Sequence, residues 1–254
     1  MPEDRFSVTA VAAALGPLAP RFDIDVVAEC ESTNTLLLAR AETSPSGAVL
    51  VAERQTAGRG RMGRPWHAEP AASLTFSLLY KLPRSAAPSG LSLAVGVAIA
   101  EALRELGVDG VALKWPNDIL RDGRKLGGIL IELSGSSAVV GIGLNLRLPA
   151  DLPDDVRANA AALERDVDRN DLLARLLASL HRALDAFDSG GFAALRGRWS
   201  ALNAYVGKPV RVISEFAVPV EGICMGVDVD GALLLETAVC VQRIISGDVS
   251  LRPA

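Results

Sequence analysis

Residues 111–146 read VALKWPNDILRDGRKLGGILIELSGSSAVVGIGLNL, and this stretch predicts the fold. Three apolar runs within it, VALKW, KLGGILIEL and AVVGIGLNL, are typical of strands. Asp122-Gly123 lies between the first two runs and is a strong hairpin signal, because both residues tolerate the dihedral angles of a tight turn. Consecutive strands joined by short turns pair antiparallel. We therefore predict an α+β fold with a mostly antiparallel sheet, not a doubly wound one.

Residues on both sides of this stretch extend the mixed pattern of strands and helices. The predicted strands towards the N-terminus are DIDVVAEC (23–30), AVLVAE (48–53) and SLTFSLLYKL (73–82). Helices are predicted near residues 7–14, over STNTLLLARAE (32–42) with Ser32 or Thr33 as its N-cap, and over GLSLAVGVAIAEALRELG (90–107), DLLARLLASLHRALDAF (171–187) and FAALRGRWSALN (192–203). Residues 151–169 are polar and rich in Asp and Pro, which predicts a surface loop with a helical turn.

The pattern changes after Tyr205. The β-rich segments that follow are PVRVI (209–213), VPVEGICMGV (218–227), GALLLE (231–236) and IISGDVSL (244–251), with turn signals at Asp230-Gly231 and Gly247-Asp248. Short, closely spaced strands of this kind are typical of a small barrel. We therefore predict one domain over residues 1–205 and a small barrel domain over residues 206–254.

The composition argues against several classes of protein. The 254 residues are 50% hydrophobic and 22% charged, which is typical of a globular domain. A net charge of −4 argues against nucleic acid as a main partner. Three cysteines without a C-x-x-C pair, and only two histidines, argue against a disulfide framework or a transition-metal site. The sequence shows neither a secretion signal nor an apolar stretch long enough for a membrane span, so we expect a cytoplasmic protein.

The segment Gly58-Arg59-Gly60-Arg61-Met62-Gly63 matches the letters of a dinucleotide-binding fingerprint, G-x-G-x-x-G. That fingerprint requires its last glycine to open a helix whose N-terminus faces the pyrophosphate. Here Pro65 and Pro70 follow, which predicts an extended loop instead. The sequence also contains no G-x-x-x-x-G-K-[ST] phosphate loop. The loop therefore needs an explanation other than these two nucleotide-binding motifs.

The same loop carries a dense positive charge in a chain that is acidic overall. Arg54, Arg59, Arg61 and Arg64 fall within eleven residues that contain no acid. Arginine binds phosphate and carboxylate with paired donors, and neighbouring glycines let the backbone approach a ligand. The alternative interpretation is a solvated loop whose arginines only confer solubility. We favour a loop that closes on an anion, mobile when empty and ordered when occupied.

A second polar cluster lies within the stretch that predicts the sheet. The segment Lys114-Trp115-Pro116-Asn117-Asp118 places an amide and a carboxylate at one bend, and Lys125 begins the next strand. Taken singly, Asn117 and Asp118 are compatible with turn residues, and Lys125 with an exposed hairpin lysine. Together with the arginine loop, they indicate a site for anionic substrates.

These motifs, taken in order, resemble the biotin protein ligase family. They are Glu31-Ser-Thr-Asn34, Gly58-Arg-Gly-Arg-Met-Gly-Arg64 followed by Trp66, Lys114-Trp-Pro-Asn-Asp118, Arg124-Lys-Leu-Gly-Gly-Ile-Leu-Ile-Glu132, Gly141-Ile-Gly-Leu-Asn145 and Gly247-Asp-Val-Ser-Leu-Arg252. The resemblance spans roughly residues 24–252. The glycine-arginine motif and the Trp-Pro-Asn-Asp motif in this order are highly specific.

The resemblance implies a fold, a reaction and partners. The implied fold is the mostly antiparallel sheet of class II aminoacyl-tRNA synthetases and biotin ligases, flanked by helices, with a C-terminal SH3-like barrel. The implied reaction joins biotin to ATP as biotinyl-5′-AMP, releases pyrophosphate and passes the biotinyl group to a lysine of a biotin carboxyl carrier protein. The implied small molecules are biotin and ATP with Mg²⁺. The implied partner is the carrier domain of acyl-CoA or pyruvate carboxylases.

The resemblance also assigns roles to residues that match its motifs. The implied biotin-binding residues are Ser32, Thr33, Asn34, Gln55, Arg59, Gly60, Arg61, Lys125, Gly128 and Gly143. The implied ATP- or adenylate-binding residues are Gly58, Arg61, Arg64, Trp66, Asn117 and Asn145. The implied catalytic residues are Arg61 and Lys125, which stabilise the carboxylate and phosphate, and Asp118, which orients or deprotonates the incoming lysine. No metal-ligating residues are implied.

About two dozen residues precede DIDVV, too few for the DNA-binding domain that many relatives carry. We therefore expect a ligase without repressor activity, acting as a monomer or weak homodimer. Two alternatives stay open at this stage. A lipoate-type protein ligase shares the fold but needs an apolar slot for a dithiolane. A non-catalytic biotin-sensing regulator, in particular one that binds nucleic acid, conflicts with the acidic net charge.

Overall fold

The structure is a computed structural model that describes residues 5–66, 69–83, 87–149, 152–214, 218–245 and 249–253. The turn signal Gly247-Asp248, which also forms part of the last matched motif, lies outside the described residues. Among the described residues, no helix combines the length and the apolar character needed to cross a membrane.

Seven strands form the larger of two sheets. In chain order they are β1 (Asp23–Cys30), β2 (Ala48–Gln55), β3 (Ser73–Lys81), β4 (Val111–Lys114), β5 (Asp118–Arg121), β6 (Arg124–Ser134) and β7 (Ser137–Asn145). Their spatial order is β1-β2-β3-β7-β6-β5-β4. Within the described ranges, the β1–β2 pair is parallel and the other pairs of this sheet are antiparallel. The predicted α+β class with a mostly antiparallel sheet is confirmed.

Strand β5 was not foreseen, and it changes the position of Asp118. The sequence prediction placed Asn117 and Asp118 in a bend between two strands. In the structure, Asp118 instead begins β5, and the turn at Asp122 and Gly123, where both residues have positive φ, joins β5 to β6. A four-residue strand is too short to show a periodic pattern in the sequence. Because β5 pairs with β4 on one side and β6 on the other, the position of its first residue, Asp118, is fixed from both sides.

Six helices accompany the sheet in the described residues: α1 (Val8–Leu15), α2 (Thr33–Leu38), α3 (Leu91–Glu105), α4 (Asp154–Asn159), α5 (Arg169–Gly190) and α6 (Arg196–Leu202). The predicted helices are confirmed, although α2 ends four residues before the predicted limit of residue 42, and α6 begins only at Arg196 because residues 191–194 form a 3₁₀ turn. At Arg40, Ala41 and Thr43 the backbone N–H groups donate to the residue three positions earlier, which is the pattern of tight turns.

The strands give the larger sheet two unlike faces, because successive side chains point in opposite directions. Leu74, Phe76 and Leu78 of β3 join the main core with α1, α3 and α5. Thr75 and Ser77, which alternate with them, are polar and lie on the other face. The buried face of β7 is likewise apolar, whereas Gly141 and Gly143 alternate onto the polar face. One face therefore holds the core and the other has room for a site.

The second sheet has five strands in the order β11-β10-β9-β8-β12, all antiparallel. They are β8 (Pro209–Ser214), β9 (Val220–Val227), β10 (Leu233–Glu236), β11 (Val241–Ile244) and β12 (Val249–Pro253). The sequence foresaw four segments here, because it joined the end of β11 and the start of β12 into one. The predicted small C-terminal β-structure is otherwise confirmed.

The second sheet contacts the segment that connects β4 to β5. The Trp115 indole Nε1 donates a hydrogen bond of 3.1 Å to the Gly231 carbonyl oxygen. Just after α6, the Ala204 N–H donates to the Leu113 carbonyl oxygen at 2.9 Å, and Asn203 forms an isolated parallel bridge with Leu113 of β4. Trp115 is almost completely buried, and the Trp115–Pro116 peptide bond is cis. These contacts fix the backbone immediately before Asn117 and Asp118.

A buried ion pair ties α5 and the N-terminal segment to β2. Arg169, which is 2% exposed, donates from Nη1 to Glu53 Oε2 at 2.8 Å, and its guanidinium lies 4.4 Å from the centre of the Phe6 ring. The other oxygen, Glu53 Oε1, accepts from the Phe6 N–H at 2.7 Å. The Glu53 side chain is 17% exposed, so its carboxylate is largely shielded from water and is held by these two partners.

We predict that Arg169→Met lowers the free energy of unfolding by about 3–5 kcal/mol, because it leaves the Glu53 carboxylate buried without its cation. The matched control is Arg175→Met on the same helix, where the 48% exposed arginine pairs with Asp171 at 2.7 Å. The control should cost less than about 0.5 kcal/mol. Urea denaturation followed by circular dichroism measures both, and equal losses would contradict a special role for the buried pair.

Candidate active site

A cavity of about 800 Å³ opens on the polar face of the larger sheet. Its walls include every site residue predicted from the sequence except Gly58: Ser32, Thr33, Asn34, Gln55, Arg59, Gly60, Arg61, Arg64, Trp66, Asn117, Asp118, Lys125, Gly128, Gly143 and Asn145. Gly58 is at the base of the loop, where any Cβ would collide with the backbone of Trp66. The structure thus brings together side chains that are up to about a hundred residues apart in the chain.

One end of the cavity is a buried network of polar side chains. Gln55 Oε1 accepts from the Thr33 N–H at 2.7 Å and from the Thr33 hydroxyl at 3.1 Å. The Ser77 hydroxyl lies 2.7 Å from Thr33 Oγ1 and 2.6 Å from Asn34 Oδ1. Asn34 in turn donates from Nδ2 to Glu132 Oε2 at 2.8 Å. Each group is held by a neighbour, so this end of the cavity presents fixed donors and acceptors.

Ser32 caps the start of α2, and its side chain lines the cavity. Its hydroxyl accepts from the Thr35 N–H at 3.5 Å, so Ser32 is the N-cap that the sequence offered as one of two choices. Thr33 and Asn34 form the first turn of α2 and are buried.

Gly141 on β7 provides the space that Asn34 occupies. A Cβ at Gly141 would collide with the amide group of Asn34. Ser77 and Glu132 hold that amide from either side, so it cannot move away without breaking their hydrogen bonds. The glycine is therefore required by the position of the amide, not by its own backbone conformation.

The glycine-arginine loop forms a closed turn over the cavity. The Trp66 N–H donates to the Gly58 carbonyl at 2.8 Å, and the Gly60 N–H donates to the Arg64 carbonyl at 2.7 Å. Arg61–Gly63 form a single 3₁₀ turn, after which Arg64 is extended. The described residues between Gly63 and β3 contain no α-helix, in contrast to the helix that a dinucleotide-binding fingerprint requires there.

The two arginines between the glycines point to different parts of the site. Arg59 donates from Nη2 to the Thr35 hydroxyl at 2.8 Å, and the same atom lies 3.7 Å from Glu132 Oε1, next to the polar network. Arg61 donates from Nη1 to Asn117 Oδ1 at 3.4 Å. The loop therefore spans the cavity, with one guanidinium near the polar end and the other near the β4–β5 connection.

Trp66 lies against the floor of the cavity. A Cβ at Gly143 would collide with the indole ring, so the ring rests directly on the backbone of β7. The indole Nε1 is buried and has no hydrogen-bond partner among the described residues. A buried donor without a partner is unfavourable by about 1–3 kcal/mol, which marks this N–H as a candidate contact for a bound molecule.

Asp118 lies between two lysines at the other end of the cavity. Asp118 Oδ1 is 2.6 Å from Lys125 Nζ, and Asp118 Oδ2 is 3.4 Å from Lys114 Nζ. Strand pairing sets this arrangement, since Lys114 pairs with Asp118, Asp118 with Gly128, and Gly128 with Gly143. Because Gly128 has no side chain, the Lys125 ammonium reaches back over it to the carboxylate.

The charges of this cluster shift the pKa of two of its members. Burial alone would raise the pKa of the Asp118 carboxyl, but the ammonium groups of Lys125 and Lys114 outweigh it and hold the pKa below its usual value. Burial lowers the pKa of the Lys114 ammonium, and the attraction of Asp118 offsets this only in part. Asp118 is consequently a carboxylate at neutral pH with two cations beside it.

The structure adds cavity residues that the sequence interpretation did not assign to the site. They include Leu148, Pro149, Leu152, Asp155, Val156, Asn159 and Ala160 around α4, together with Met62, Pro65, Thr75, Lys114, Tyr205 and Arg252. Residues 151–169 were predicted to form a surface loop with a helical turn; α4 is that helical turn, but its place in the cavity wall was not foreseen. Tyr205 and Arg252 come from the C-terminal part of the chain, and a local motif cannot show that they approach β4.

Two family profiles match the sequence. The Biotin/lipoate A/B protein ligase family matches residues 26–148, and the Biotin protein ligase C terminal domain matches residues 205–252. Both matches agree with the two sheets seen in the structure. The class of protein defined by fold and site is therefore a ligase that modifies proteins with biotin or lipoate.

Individual relatives narrow this class. The chain is 38% identical over 240 residues to the bifunctional ligase/repressor BirA of Escherichia coli, covering 91% of this chain and 74% of the relative. It is 36% identical over 238 residues to the biotin–[acetyl-CoA-carboxylase] ligase of Mycobacterium tuberculosis, covering 89% of this chain and 88% of the relative. The solved structure of the biotin protein ligase of Aquifex aeolicus in complex with biotin and ATP superposes on this chain with a TM-score of 0.83 at 31% identity. The superposition covers 91% of this chain and 99% of the Aquifex chain. This chain belongs to the biotin protein ligase family.

We predict that Gly141→Ala displaces the Asn34 amide and disrupts the polar network. The free energy of unfolding should fall by about 1–3 kcal/mol, because the added methyl group overpacks a site that hydrogen bonds hold rigid. Differential scanning calorimetry measures the change. The matched control is Gly197→Ala in α6, where an added Cβ meets no atom within 4 Å and the protein should be as stable as wild type or more so. A neutral Gly141→Ala variant would contradict the packing argument.

We predict that Asp118→Asn lowers the free energy of unfolding by about 1–3 kcal/mol at pH 7, because two ammonium groups lose their shared counter-charge. Since the folded-state pKa of Asp118 is lowered, its contribution is fully present above the unfolded pKa of about 3.9. The difference between wild type and variant should therefore shrink as the pH falls below 4 through the folded-state pKa.

Guanidinium denaturation between pH 3 and pH 7 tests this dependence on pH. Asp166→Asn, at an exposed position outside the site, should stay within about 0.5 kcal/mol of wild type and serves as the control. A difference between wild type and Asp118→Asn that stays constant down to pH 3, or that grows, would contradict the interpretation.

Proposed function

We propose that this chain is an ATP-dependent biotin protein ligase. It activates biotin as biotinyl-5′-AMP with release of pyrophosphate and then transfers the biotinyl group to a lysine of a biotin carboxyl carrier protein. The observation that carries the proposal is the contact of Arg61 with Asn117, which closes the glycine-arginine loop over the Asp118–Lys125 pair in one cavity. Two anionic groups can be held against each other there.

The polar end of the cavity suits the ureido ring of biotin. That ring has two N–H donors and one carbonyl acceptor, and Ser32, Thr33, Asn34 and Gln55 supply hydroxyl and amide partners. Gln55 and Ser77 fix the orientation of Thr33 and Asn34 before any ligand binds. A dithiolane ring, as in lipoate, offers no such hydrogen bonds and would leave these buried polar groups without partners. The network therefore favours biotin over lipoate.

The cationic side chains serve the activation step. A carboxylate oxygen of biotin attacks the α-phosphorus of ATP, a new O–P bond forms, and pyrophosphate leaves with the electrons of the broken P–O bond. Both reactants are anions, so fixed positive charge must offset their repulsion. We assign this task to Arg61 and Lys125, with Arg59, Gly60, Gly128 and Gly143 leaving room for the biotin chain.

In the transfer step, the neutral amine of the carrier lysine attacks the acyl carbon of the adenylate. The C–N bond forms, the C–O bond breaks, AMP leaves with its electrons, and the amine proton passes to solvent. Asp118 can orient this amine or take its proton. The two lysines beside Asp118 lower its pKa, which makes it a weak base and favours the orienting role.

The adenylate part of the ligand is assigned to Arg64, Trp66, Asn117 and Asn145, and Gly58 lies at the base of the loop. The Asn145 amide donates to the Ala161 carbonyl at 3.0 Å, so its oxygen remains on the side of the cavity. The described residues contain no group of three or more His, Cys, Asp or Glu that could hold a metal ion. Mg²⁺ accordingly fits as an ion bound chiefly to the phosphates of ATP, whose charge it partly neutralises.

We also propose how the chain is divided. Residues 1–205 form the domain that binds biotin and ATP, and residues 206–254 form a small β-domain that braces the β4–β5 connection through Trp115. The proposed partner is the biotin carboxyl carrier domain of a carboxylase. The M. tuberculosis relative, named for acetyl-CoA carboxylase, supports this choice.

Biotin-dependent exchange between ATP and labelled pyrophosphate tests the proposal directly. The wild-type protein should catalyse exchange with biotin and not with lipoate at the same concentration, and should then label a purified carrier domain. Exchange that depends on lipoate instead would support the lipoate ligase. Biotin binding in calorimetry with no exchange would support a non-catalytic sensor.

We predict that Lys125→Ala and Arg61→Ala each lower the exchange rate by about a hundredfold or more, because each removes fixed positive charge from the reacting anions. Arg54→Ala is the matched control, since Arg54 precedes the loop and pairs with Glu29 in an exposed ion pair at 3.0 Å. The control should exchange at the wild-type rate. Wild-type exchange by Lys125→Ala or Arg61→Ala would show that the assigned site residue is wrong.

A further inference from the structure

Lys114 is a buried cation that the reaction described above does not use. Its side chain is 13% exposed, although lysine is among the residues least often buried. It lies on β4, and its ammonium is 3.4 Å from Asp118 Oδ2. Burying an ammonium is unfavourable unless a partner compensates, so the position requires an explanation.

Strand pairing places Lys114 at the end of a row across the sheet. Lys114 pairs with Asp118 on β5, Asp118 pairs with Gly128 on β6, and Gly128 pairs with Gly143 on β7. The row thus runs from a lysine to a carboxylate and then across two residues without side chains. The Lys125 ammonium occupies the space above Gly128 and contacts the carboxylate from that side.

The Asp118 carboxylate is held at both oxygens. Oδ1 contacts the Lys125 ammonium at 2.6 Å and Oδ2 contacts the Lys114 ammonium at 3.4 Å, while the Asp118 side chain is only 15% exposed. A carboxylate bound at one oxygen can rotate about its last bond, because that torsion has a broad minimum. A second cation on the other oxygen restricts the rotation. The direction of the Lys125 ammonium then depends on Lys114.

We propose that Lys114 is a positioning residue for biotin activation that acts through Asp118. It fixes the carboxylate, and the fixed carboxylate directs the Lys125 ammonium over Gly128 into the cavity. Lys114 touches neither reacting group in this proposal. The inference rests on the proposed ligase function, and it assigns to Lys114 a role different from direct binding of phosphate.

Lys114→Met tests the proposal, because methionine keeps the length of the side chain and removes the charge. In biotin-dependent ATP–pyrophosphate exchange, kcat should fall by about tenfold to a hundredfold, as expected when a catalytic group is misplaced. The KM for ATP should change less than about threefold, since the lysine does not bind the nucleotide. Lys114→Arg should recover most of the rate, because the guanidinium can still bind Asp118 Oδ2.

A double-mutant cycle separates action through Asp118 from direct action. In an Asp118→Ala background, Lys114→Met should change the rate by less than about twofold, since the carboxylate through which it acts is already absent. The assay is run at high enzyme concentration so that slow variants stay measurable. Lys81→Met, at an exposed position at the end of β3, is the control and should match wild type.

Several results would overturn the proposal. A raised KM for ATP with an unchanged kcat would assign Lys114 to phosphate binding, and an equal loss in both backgrounds of the cycle would do the same. An unchanged rate in Lys114→Met would remove any role. A loss that Lys114→Arg does not restore would indicate a purely structural position, which thermal denaturation would show as a lower Tm.

Absence of exchange in the wild-type protein would refute the ligase function itself, which is a separate outcome.

Discussion

The carboxylate of Asp118, held between two ammonium groups, is the interaction on which the rest of the site depends. It lies where three strands meet, and its partners come from the strands on either side. The positive charge needed to bring two anions together would repel itself if nothing compensated it. One buried carboxylate allows two lysines to lie close together and still leaves a net positive charge facing the cavity. The arginine loop adds to this charge from above, through the contact of Arg61 with Asn117.

The second constraint is the difference between the two faces of the larger sheet. The core side binds α1, α3 and α5 through large apolar residues, which provides the stability. The other side can then carry buried polar groups and glycines, which are unfavourable for stability but necessary for binding. The C-terminal part of the chain braces the connection between β4 and β5, because the Gly231 carbonyl oxygen accepts a hydrogen bond from the Trp115 indole there. The two sheets are thus joined next to Asn117 and Asp118, at the end of the cavity where Asp118 lies between the two lysines.

The sequence alone predicted the class of fold, most strands and helices, and fifteen of the residues that line the cavity. Strong hydrophobic periodicity and the Asp122-Gly123 turn made the fold and its elements predictable, and the specific motifs made the cavity residues predictable. It failed at β5, which is too short to show a pattern, and so placed Asp118 in a bend. It could not foresee that Gly58 is at the base of the loop and not in the cavity wall, or that Tyr205 and Arg252 approach the site. Those positions follow from contacts between distant segments, which no local pattern encodes.

The two paired glycines, Gly128 and Gly143, leave bare backbone as the floor of the cavity, and the side chains of Lys125 and Trp66 lie directly over it. The backbone of this floor has no rotamers to lose when a ligand binds, so its conformational entropy hardly changes. The entropy lost on binding therefore falls on the arginine loop and on the long cationic side chains at the rim. The rim can adapt to successive ligands, biotin, its adenylate and a carrier lysine, while the floor presents the same surface to each of them.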